Sequence, residues 1–498
     1  MTRTQPTAVI VLAAGEGTRM KSKRSKVLHP LCGRSMIGHV LTAACAVDPQ
    51  HVVAVVGHGR AEVGPHIRDE VPDAVLAVQE TQEGTGHAVR VAIRALRESG
   101  GTTSGTVLVT MGDTPLLQGE TLAELVADHE AAGRAVTLLS GELADPYGYG
   151  RVVRDDAGEV VAIVEEREAD EVQAAIREIN SGVYAFDGDF LADAVERIGN
   201  DNSKGEYYLT DVVAIARGAG VAVGAYVTRD IQQTEGANDR SQLAVLAARL
   251  NRRVLDGWMR AGVTILDPTS TWIDVTVSLE PDVTVLPGVQ LLGATSVAED
   301  AVVGPDSTLK DVEVGAGAKV VRSHGELAVI GAKANVGPFS YLRPGTVLGA
   351  AGKIGAFVET KNARIGDGAK VPHLSYVGDA EIGEGSNIGA GTIFANYDGV
   401  AKHRTTVGRH ARTGSNNTFV APVTIGDGAV TGGGTVVRRD VPPGALAVSA
   451  GQQRNIDEWV LENRAGTPGA DAAAGAAHQG APPASQPAGQ DSSGPGSG

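Results

Sequence analysis

Aliphatic residues return every six positions along much of the second half of the chain. Two runs show this interval: Val285, Leu291, Val297, Val303 and Leu309, and then Ile330, Val336, Leu342, Leu348 and Ile354. A fixed six-residue period with one aliphatic per repeat is typical of a parallel β-helix, in which each repeat forms one short strand and one corner. The strands of a β-sandwich, the alternative, return at irregular spacing and alternate with period two. The pattern therefore predicts a β-helix, and glycine directly after many of the aliphatic residues fits its corners.

The six-residue register breaks between Ile388-Gly389 and Val407-Gly408. The sequence Asn396-Tyr397-Asp398-Gly399 lies inside this interruption. A break in a repeat array usually marks a loop that leaves the coil at one corner, and such loops often carry function. We therefore expect a functional loop here.

The first half of the chain has a different pattern. Apolar runs at 8–12, 51–56 and 106–110 are predicted strands, and helical spacing covers 88–98 and 120–132. Alternating strands and helices predict an α/β domain with a mostly parallel sheet. Apolar residues from Leu243 to Trp258 fall on one helical face, which predicts a joining helix. The predicted organisation is an α/β domain at 1–238, a linker helix at 239–260, a β-helix domain at 261–464 and a disordered tail at 465–498, rich in Ala, Gly, Pro, Ser and Gln.

Composition and charge narrow the class of protein. Glycine accounts for 66 of 498 residues, while Phe, Trp and Tyr number only 18, which argues against ordinary aromatic-filled cores. The net charge of −16 makes bulk nucleic-acid binding an unlikely role, and no stretch is apolar and long enough to predict a membrane span. The short apolar run at 8–14 is followed by Glu16, so no signal peptide is expected. The two cysteines, Cys32 and Cys45, are predicted to be buried apolar residues of a protein in a reducing, cytoplasmic compartment.

Glycine-rich sequence follows the first predicted strand directly, from Leu12 to Met20. Ligands bind at the carboxyl ends of strands in α/β sheets, and exposed backbone N–H groups can approach phosphate closely. The segment is neither a Walker loop nor the dinucleotide-binding fingerprint. Four further segments make a binding role more convincing than a purely structural turn: Ser25-Lys26-Val27-Leu28, Glu83-Gly84-Thr85-Gly86-His87-Ala88, Met111-Gly112-Asp113-Thr114-Pro115-Leu116 and Tyr149-Gly150-Arg151.

Together with the six-residue repeat, these segments resemble the bacterial family of bifunctional N-acetylglucosamine-1-phosphate uridylyltransferases and glucosamine-1-phosphate N-acetyltransferases. The resemblance covers the chain up to the Ala/Gly/Pro/Ser tail. It implies a Rossmann-like uridylyltransferase domain followed by a left-handed β-helix that carries the acetyltransferase. It also implies small-molecule substrates, a Mg²⁺ cofactor, a homotrimer, and a role in the synthesis of UDP-N-acetylglucosamine.

Uridylyl transfer brings several anionic oxygens together, so its catalysis consists mostly of positioning and charge neutralisation. The resemblance implies that Arg19 and Lys26 supply positive charge and that Asp113 and Asn238 hold Mg²⁺ through oxygen atoms. An aspartate after a strand could instead cap a helix, and Asn180 could be a turn residue. No side-chain contact is expected from Met111, where many relatives have tyrosine. The resemblance gives the nucleotide and sugar contacts as Leu12, Ala13, Ala14, Gly15, Lys26, Gln79, Gly84, Thr85, Gly112, Asp113, Gly150, Glu165, Asn180 and Asn238.

Acetyl transfer needs a base that takes a proton from the 2-ammonium of glucosamine 1-phosphate. A histidine suits that task, and His373 occupies the position of the family's base. We also advance the hypothesis that Glu359 orients or tunes His373. The resemblance places glucosamine 1-phosphate on Arg343, Lys361, Tyr376, Asn387 and Lys402, and acetyl-CoA on Ala390, Asn396, Tyr397, Ser415 and Gly433.

Two positions depart from the family pattern. Gly433 replaces a common alanine, and Ala450 replaces an arginine that some relatives use for coenzyme A. Arg439 or Arg454 could take over that contact. Trp459 could pack across a subunit boundary, against substrate or within its own helix.

Three readings of function follow. The leading one is an enzyme with two separate active sites. In the second, the β-helix is only a regulatory or assembly module of a sugar nucleotidyltransferase, and in the third both domains form a non-enzymatic regulatory platform. The presence of Arg19, Lys26, Asp113 and Asn238 together argues against the third, and the polar constellation around His373 argues against the second.

Overall fold

A computed structural model describes residues 5–449, 451 and 453–478. The first domain is built on a nine-stranded sheet with the order β11-β7-β10-β6-β1-β4-β5, to which the β8–β9 hairpin is added through β10. Its strands are β1 (Ala8–Leu12), β2 (Pro30–Leu31), β3 (Arg34–Ser35), β4 (His51–Val56), β5 (Val75–Val78), β6 (Thr106–Met111), β7 (Val136–Glu142), β8 (Arg151–Arg154), β9 (Val160–Val164), β10 (Glu178–Asp187) and β11 (Val223–Val227). Its helices are α1 (Met36–Cys45), α2 (Arg60–Glu70), α3 (Thr85–Glu98), α4 (Gly119–Ala132), α5 (Glu171–Ala174), α6 (Gly188–Arg197) and α7 (Asp211–Gly218), and the pair β2–β3 forms a separate small hairpin.

The sheet is mostly parallel, as the sequence predicts. Strand β1 pairs in parallel with β4 and β6, whereas β10 runs antiparallel between β6 and β7. Alternate residues of β1 enter two different cores, Ile10 on the face of α3, α6 and α7, and Val9 on the face of α1, α2 and α4. Because the sheet is covered on both faces, its central strands β1 and β4 are nearly continuous apolar runs instead of alternating with polar residues.

Helix α8 (Arg240–Arg260) follows, at the position of the predicted joining helix. The Asp239 side chain accepts a hydrogen bond from the Gln242 N–H at 2.9 Å, which caps the first turn. Leu246 and Leu250 pack against the first domain, while Leu255 belongs to the core of the second. The helix therefore buries its apolar face against both domains.

The second domain is a parallel β-helix, which confirms the six-residue prediction. Thr284 pairs with Val302, three six-residue repeats later, so three repeats make one coil. All ten aliphatic residues of the two predicted runs are buried in a single core. The handedness of the coil stays a prediction. The strands are Thr264–Ile265, Trp272–Ile273, Ser278–Leu279, Thr284–Val285, Gln290–Leu292, Ser296–Val297, Val302–Val303, Thr308–Val314, Lys319–Val320, His324–Ile330, Asn335–Val336, Tyr341–Leu342, Val347–Leu348, Lys353–Ala356, Glu359–Ile365, Lys370–His373, Tyr376–Ile382, Ile393–Ala395, Thr405–Val407, Thr418–Val420, Val423–Ile425, Val430–Thr431, Val436–Val437 and Leu446–Ala447.

The predicted loop is present at 396–404, between the strands Ile393–Ala395 and Thr405–Val407. The coils beside it hold Phe394 and Phe419, both fully buried, with ring centroids 5.1 Å apart. The low aromatic content had suggested a lumen without large aromatic side chains. At this place the coil is instead wide enough for two.

Two expectations are corrected at the ends of elements. Within the segment predicted to be disordered, Pro468–His478 forms a helix, because its many alanines favour helix formation. Residues 479–498 of that tail lie outside the described residues. Cys45, predicted to be buried, is exposed at the end of α1, while burial raises the pKa of the Cys32 thiol to about 12.

Among the helices of the described residues, none combines the length and apolarity needed to cross a membrane.

Candidate active sites

Two adjoining cavities lie at the carboxyl ends of β1 and β6. One has a volume of about 370 Å³, the other about 230 Å³, and Leu12, Thr85, Met111 and Glu165 line both. Of the sequence-predicted contacts, the larger cavity adds Ala14, Gly15, Gln79 and Gly84, and the smaller adds Gly150 and Asn180. The segments singled out in the sequence therefore meet at one place, with room for a nucleotide beside a sugar.

The wall of the larger cavity is made of tightly fixed backbone. Gly84 precedes α3 with a φ of 107°, and a Cβ there would lie 2.5 Å from the Tyr207 carbonyl oxygen, so only glycine fits. Gln79 is 4% exposed, and its Nε2 donates to the Gly84 carbonyl oxygen at 3.2 Å. Thr85 Oγ1 accepts from the Leu209 N–H at 3.0 Å. These contacts, with the hydrogen bond from the Gly86 N–H to the Tyr207 carbonyl oxygen at 2.8 Å, hold the start of α3 beside the cavity.

Lys26, Asp113 and Asn238 meet although they come from three distant segments. The Lys26 ammonium forms an ion pair with Asp113 and donates to Asn238 Oδ1 at 2.9 Å. Gly17 packs against Lys26, where a Cβ would lie 2.5 Å from the Lys26 Cβ. The alternative role for Asp113 as a helix cap is wrong, because α4 begins at Gly119 after Gln118. Carboxylate and amide oxygens thus point at one position, which the ammonium fills.

The remaining predicted contacts of this domain have distinct positions. Ala13 is 2% exposed and packs beneath the loop, and Gly112 donates its N–H to the Leu12 carbonyl oxygen at 2.8 Å. Both can therefore offer only backbone to a ligand. Arg19 lies exposed in the 3₁₀ turn Thr18–Met20 and is not among the described lining residues of the two cavities.

The sugar side of the site contains a perturbed carboxyl group. Burial raises the pKa of Glu165, while the nearby charge of Lys204 opposes this shift. Asn180 lies in strand β10 and not in a turn, and its Nδ2 donates to the Tyr184 hydroxyl at 2.7 Å. The Asn180 N–H also donates to the Gly150 carbonyl oxygen at 2.9 Å. Glu165 and Asn180 therefore offer polar groups on the same cavity wall.

Several lining residues were not predicted. Met111 lines both cavities despite the expectation of no side-chain contact, and Gln82 donates to the Ala14 carbonyl oxygen at 2.5 Å. Lys204 and Tyr208 reach the cavity from the segment before α7. Gln82, Lys204 and Tyr208 belong to no recognisable motif, because only the packing of distant segments brings them to the cavity.

Cationic side chains are stacked on one face of the β-helix. The Arg343 N–H donates to the Thr360 carbonyl oxygen, which places Arg343 beside Lys361 in the next coil, and Lys361 pairs in register with Gly378. Arg343, Lys361 and Gly378 therefore follow one another in successive coils. The Arg343 guanidinium lies 2.8 Å from Glu359, and the side chain of Lys402 reaches Lys361 from the 396–404 loop. The contact with the Lys361 ammonium lowers the pKa of Lys402. Three of the predicted phosphate-binding residues are thus together.

Tyr376 and Asn396 complete this cluster. Asn396 is 8% exposed, and its Nδ2 lies 3.4 Å from the Tyr376 hydroxyl. Tyr397 is 60% exposed in the same loop. The loop that interrupts the sequence repeat therefore folds back onto the cationic face.

His373 lies around a corner from the cluster, with only Leu374 and Ser375 between it and Tyr376. It is exposed at the end of the strand Lys370–His373. Within the described residues, no hydrogen bond or ion pair joins His373 to Glu359, whose partner is Arg343. The hypothesis that Glu359 orients His373 therefore has no contact to support it. Asn387 forms an isolated β-bridge with Lys370, so it lies on the same side of the corner as His373.

The predicted acetyl-CoA contacts form a column that begins at His373. Hydrogen bonds repeat from coil to coil, from Gly391 N–H to the His373 carbonyl oxygen, from Asn416 N–H to Ala390, and from Gly434 N–H to Ser415. Gly433 follows in the next coil, where a Cβ would lie 3.7 Å from the Ser415 carbonyl oxygen, so the alanine of relatives would also fit. The column of small residues leaves an open strip of surface leading to His373.

Near the end of the described chain, Trp459 is 41% exposed, and the Arg464 guanidinium lies 5.1 Å from its ring centroid. Ala450 lies outside the described residues, and Arg439 and Arg454 are exposed. The choice between these two arginines stays open.

The fold and the two clusters define a class of protein: a nucleotidyltransferase domain joined to a β-helix of the acyltransferase type. A family model that describes the MobA-like NTP transferase domain matches residues 9–179 of this chain. A relative from Rhodococcus opacus (strain B4), called bifunctional protein GlmU, is 61% identical over 477 residues, which cover 94% of this chain and 95% of the relative.

Other relatives carry the same printed name. That of Paenarthrobacter aurescens (strain TC1) is 58% identical over 462 residues, 93% of each chain, and that of Streptomyces avermitilis is 58% identical over 474 residues, 95% of this chain and 98% of the relative. The chain belongs to the family of bifunctional GlmU proteins. It is an enzyme of UDP-N-acetylglucosamine biosynthesis, with uridylyltransferase and glucosamine-1-phosphate acetyltransferase activity.

Proposed function

We propose that the two activities use two separate sites, the cavities of the α/β domain for uridylyl transfer and the cationic face of the β-helix for acetyl transfer. The observation that carries this proposal is the convergence of two distinct constellations: Lys26 with Asp113 and Asn238, and Lys361 with Lys402 and, through Asp379, with Asn396. Acetyl transfer comes first, because its product, N-acetylglucosamine 1-phosphate, is the acceptor in uridylyl transfer.

In uridylyl transfer, a phosphate oxygen of the sugar phosphate attacks the α-phosphorus of UTP, and the bond to pyrophosphate breaks. The first turn of α3 and the backbone of Ala14 and Gly15 bind the nucleotide. Lys26 and Arg19 neutralise phosphate charge, and Glu165 and Asn180 bind the sugar. Fixed donors of this kind lower the barrier mainly by positioning and charge stabilisation.

The oxygens of Asp113 and Asn238 fit Mg²⁺, because both are hard donors directed at one position. When bound, the metal supplies charge neutralisation for the triphosphate. Within the described residues there is no cluster of three His, Cys, Asp or Glu side chains suited to a metal. Asp113 and Asn238 are therefore the residues that would hold the metal.

In acetyl transfer, Arg343, Lys361 and Lys402 bind the phosphate of glucosamine 1-phosphate, with Tyr376 and Asn387 beside the sugar. His373 takes a proton from the 2-ammonium, and the amine then attacks the thioester carbonyl of acetyl-CoA. A C–N bond forms and the C–S bond breaks; the nitrogen then loses a second proton, and of the two protons one goes to the coenzyme A thiolate and the other passes from His373 to solvent. The column of Ala390, Ser415 and Gly433 carries the coenzyme, together with Asn396 and Tyr397.

A homotrimer in the cytoplasm is part of the proposal. Phe339 and Phe357 are 53% and 59% exposed and stack with ring centroids 5.3 Å apart. Leu374, directly after His373, is 62% exposed. An exposed apolar ridge next to a proposed base fits an interface between copies of the chain. Light scattering or sedimentation that gave a monomer would contradict this part.

The two-site proposal is tested with two assays on each of two variants. His373→Ala should abolish acetyl transfer and spare uridylyl transfer, and Asp113→Ala should do the reverse. Loss of both activities from either substitution, in protein that still melts like the parent, would contradict two independent sites.

A further inference from the structure

Asp379 lies at the centre of the acetyltransferase cluster, although no motif of the sequence points to it. Its Oδ2 accepts a hydrogen bond from Asn396 Nδ2 at 2.5 Å and lies 3.5 Å from the Lys361 ammonium. Its Oδ1 accepts from Asn362 Nδ2 at 2.8 Å. The side chain is only 13% exposed, so these bonds are largely shielded from water. One carboxylate therefore contacts both the phosphate-binding lysine and the functional loop.

The backbone at this position favours a short polar side chain. Asp379 forms a corner of the coil with a φ of 49°, and Asn362 occupies the same corner one coil earlier with a φ of 45°. Among residues with a Cβ, aspartate and asparagine tolerate this left-handed conformation best. The corner alone would thus accept asparagine. The contacts with Asn396 and Lys361 on Oδ2, together with the Asn362 bond on Oδ1, are what require a carboxylate with two accepting oxygens.

The neighbouring Gly378 provides the space for this arrangement. A Cβ at Gly378 would lie 2.3 Å from the Tyr376 hydroxyl oxygen and 2.7 Å from Asn396 Nδ2. The volume above this glycine is therefore used by two predicted substrate-binding groups. Gly378 follows Arg343 and Lys361 in the same row of the coil, so the row changes there from cationic side chains to a glycine covered by Tyr376 and Asn396.

The charges explain what Asp379 contributes. Lys361 and Lys402 are two ammonium groups in contact, which is unfavourable unless an anion lies beside them. Burial by itself would raise the pKa of Asp379, but the hydrogen bonds from Asn362 and Asn396 and the charge of Lys361 lower it overall. The carboxylate thus stays ionised next to the lysine pair.

From these contacts we propose that Asp379 is a positioning residue of the acetyltransferase: it fixes Asn396 and Lys361 with one carboxylate, and so links the acetyl-CoA side of the site to the sugar-phosphate side. The inference rests on the proposed roles of these two residues. Asp379 acts through them and does not contact the reacting atoms.

The test uses the full chain and steady-state acetyl transfer. Asp379→Asn keeps the shape and the corner conformation but removes the charge and one accepting oxygen. Charge-assisted hydrogen bonds are among the stronger ones, so the KM for acetyl-CoA and the KM for glucosamine 1-phosphate should each rise about tenfold, with kcat changed much less. A substitution that merely unfolded part of the protein would instead lower kcat and leave both KM values unchanged.

Asp311→Asn is the matched control. Asp311 also has a left-handed corner conformation, with a φ of 55°, and its Oδ1 accepts from the Ala294 N–H at 2.8 Å, which asparagine can retain. This variant should have parental kinetics. Uridylyl transfer and the melting temperature of both variants report on folding.

A double-mutant cycle tests the link itself. With Asn396→Ala already present, Asp379→Asn should no longer raise the KM for acetyl-CoA, but it should still raise the KM for glucosamine 1-phosphate through Lys361. Full additivity on acetyl-CoA, or unchanged KM values in Asp379→Asn, would overturn the inference. If Lys361→Ala and Asn396→Ala themselves left both KM values unchanged, the proposed site would fail, and this inference with it.

Discussion

Adding one methyl group at Gly378 should damage acetyl transfer selectively. In Gly378→Ala the new Cβ would lie 2.3 Å from the Tyr376 hydroxyl oxygen and 2.6 Å from its Cζ, where ordinary contact begins at 3.4 Å. The hydroxyl must therefore move by roughly 1 Å, and a misplacement of that size in a positioned group costs about 100-fold in rate. Tyr376 is half-buried and can turn toward solvent, so the coil itself should remain folded.

The assay for Gly378→Ala is kcat/KM of acetyl transfer, with uridylyl transfer measured on the same preparation. We expect a loss of about 100-fold, or about 2.7 kcal/mol of transition-state stabilisation, in the first and no change in the second. Gly257→Ala adds the same methyl where no atom lies within 4 Å, and should change neither activity. Retention of acetyl transfer within twofold would refute the reasoning, and so would a parallel loss of both activities.

Three further predictions concern stability and the tail. Burial raises the folded-state pKa of Glu165 above its ordinary value of 4.5, so the folded protein loses stability as the pH rises from that value through the folded-state pKa. In urea melts from about pH 4 to about pH 7, Glu165→Gln should therefore become more stable relative to the parent as the pH rises. A difference in stability between the two proteins that stayed constant over this range would contradict the prediction. Gly257→Ala, inside α8, should stabilise by about 1 kcal/mol, whereas Gly262→Ala, at a φ of 97°, should destabilise by about as much, as chemical denaturation can show. Removal of residues 465–498 should leave both activities intact, and a large loss of either would show that this segment takes part in function.

Local patterns were sufficient to predict most elements of the fold. The six-residue period predicts the β-helix because each repeat places one aliphatic residue in the lumen, and all ten of the residues used for the prediction are buried there. Alternation of strands and helices similarly predicts the sheet around β1 and β6. The antiparallel strand β10 between β6 and β7 could not be predicted, because no local pattern distinguishes its direction.

The candidate sites were predictable only where a motif marked them. The glycine-rich turn, Lys26 and Asp113 stand in recognisable segments, and the structure brings Lys26 and Asp113 together. Lys204 and Tyr208 line the larger cavity from a segment without a motif. Asp379 was missed for the same reason, since a corner aspartate in a repeat is usually a matter of backbone conformation.

The sequence by itself determined the architecture and the chemistry available, because periodicity fixes which side chains are buried and residue type fixes which groups can bind phosphate or transfer a proton. Only the tertiary structure decided which of these groups act together. The Lys26 ammonium contacts Asn238, which lies 212 residues later in the chain, and Asn396 from the 396–404 loop contacts Asp379 in an earlier coil. Such contacts depend on how the coil and sheet bring distant segments within hydrogen-bond distance, which no local pattern records. A corner of the β-helix also separates Glu359 from His373. Glu359 pairs with Tyr376, and the chain turns a corner between His373 and Tyr376.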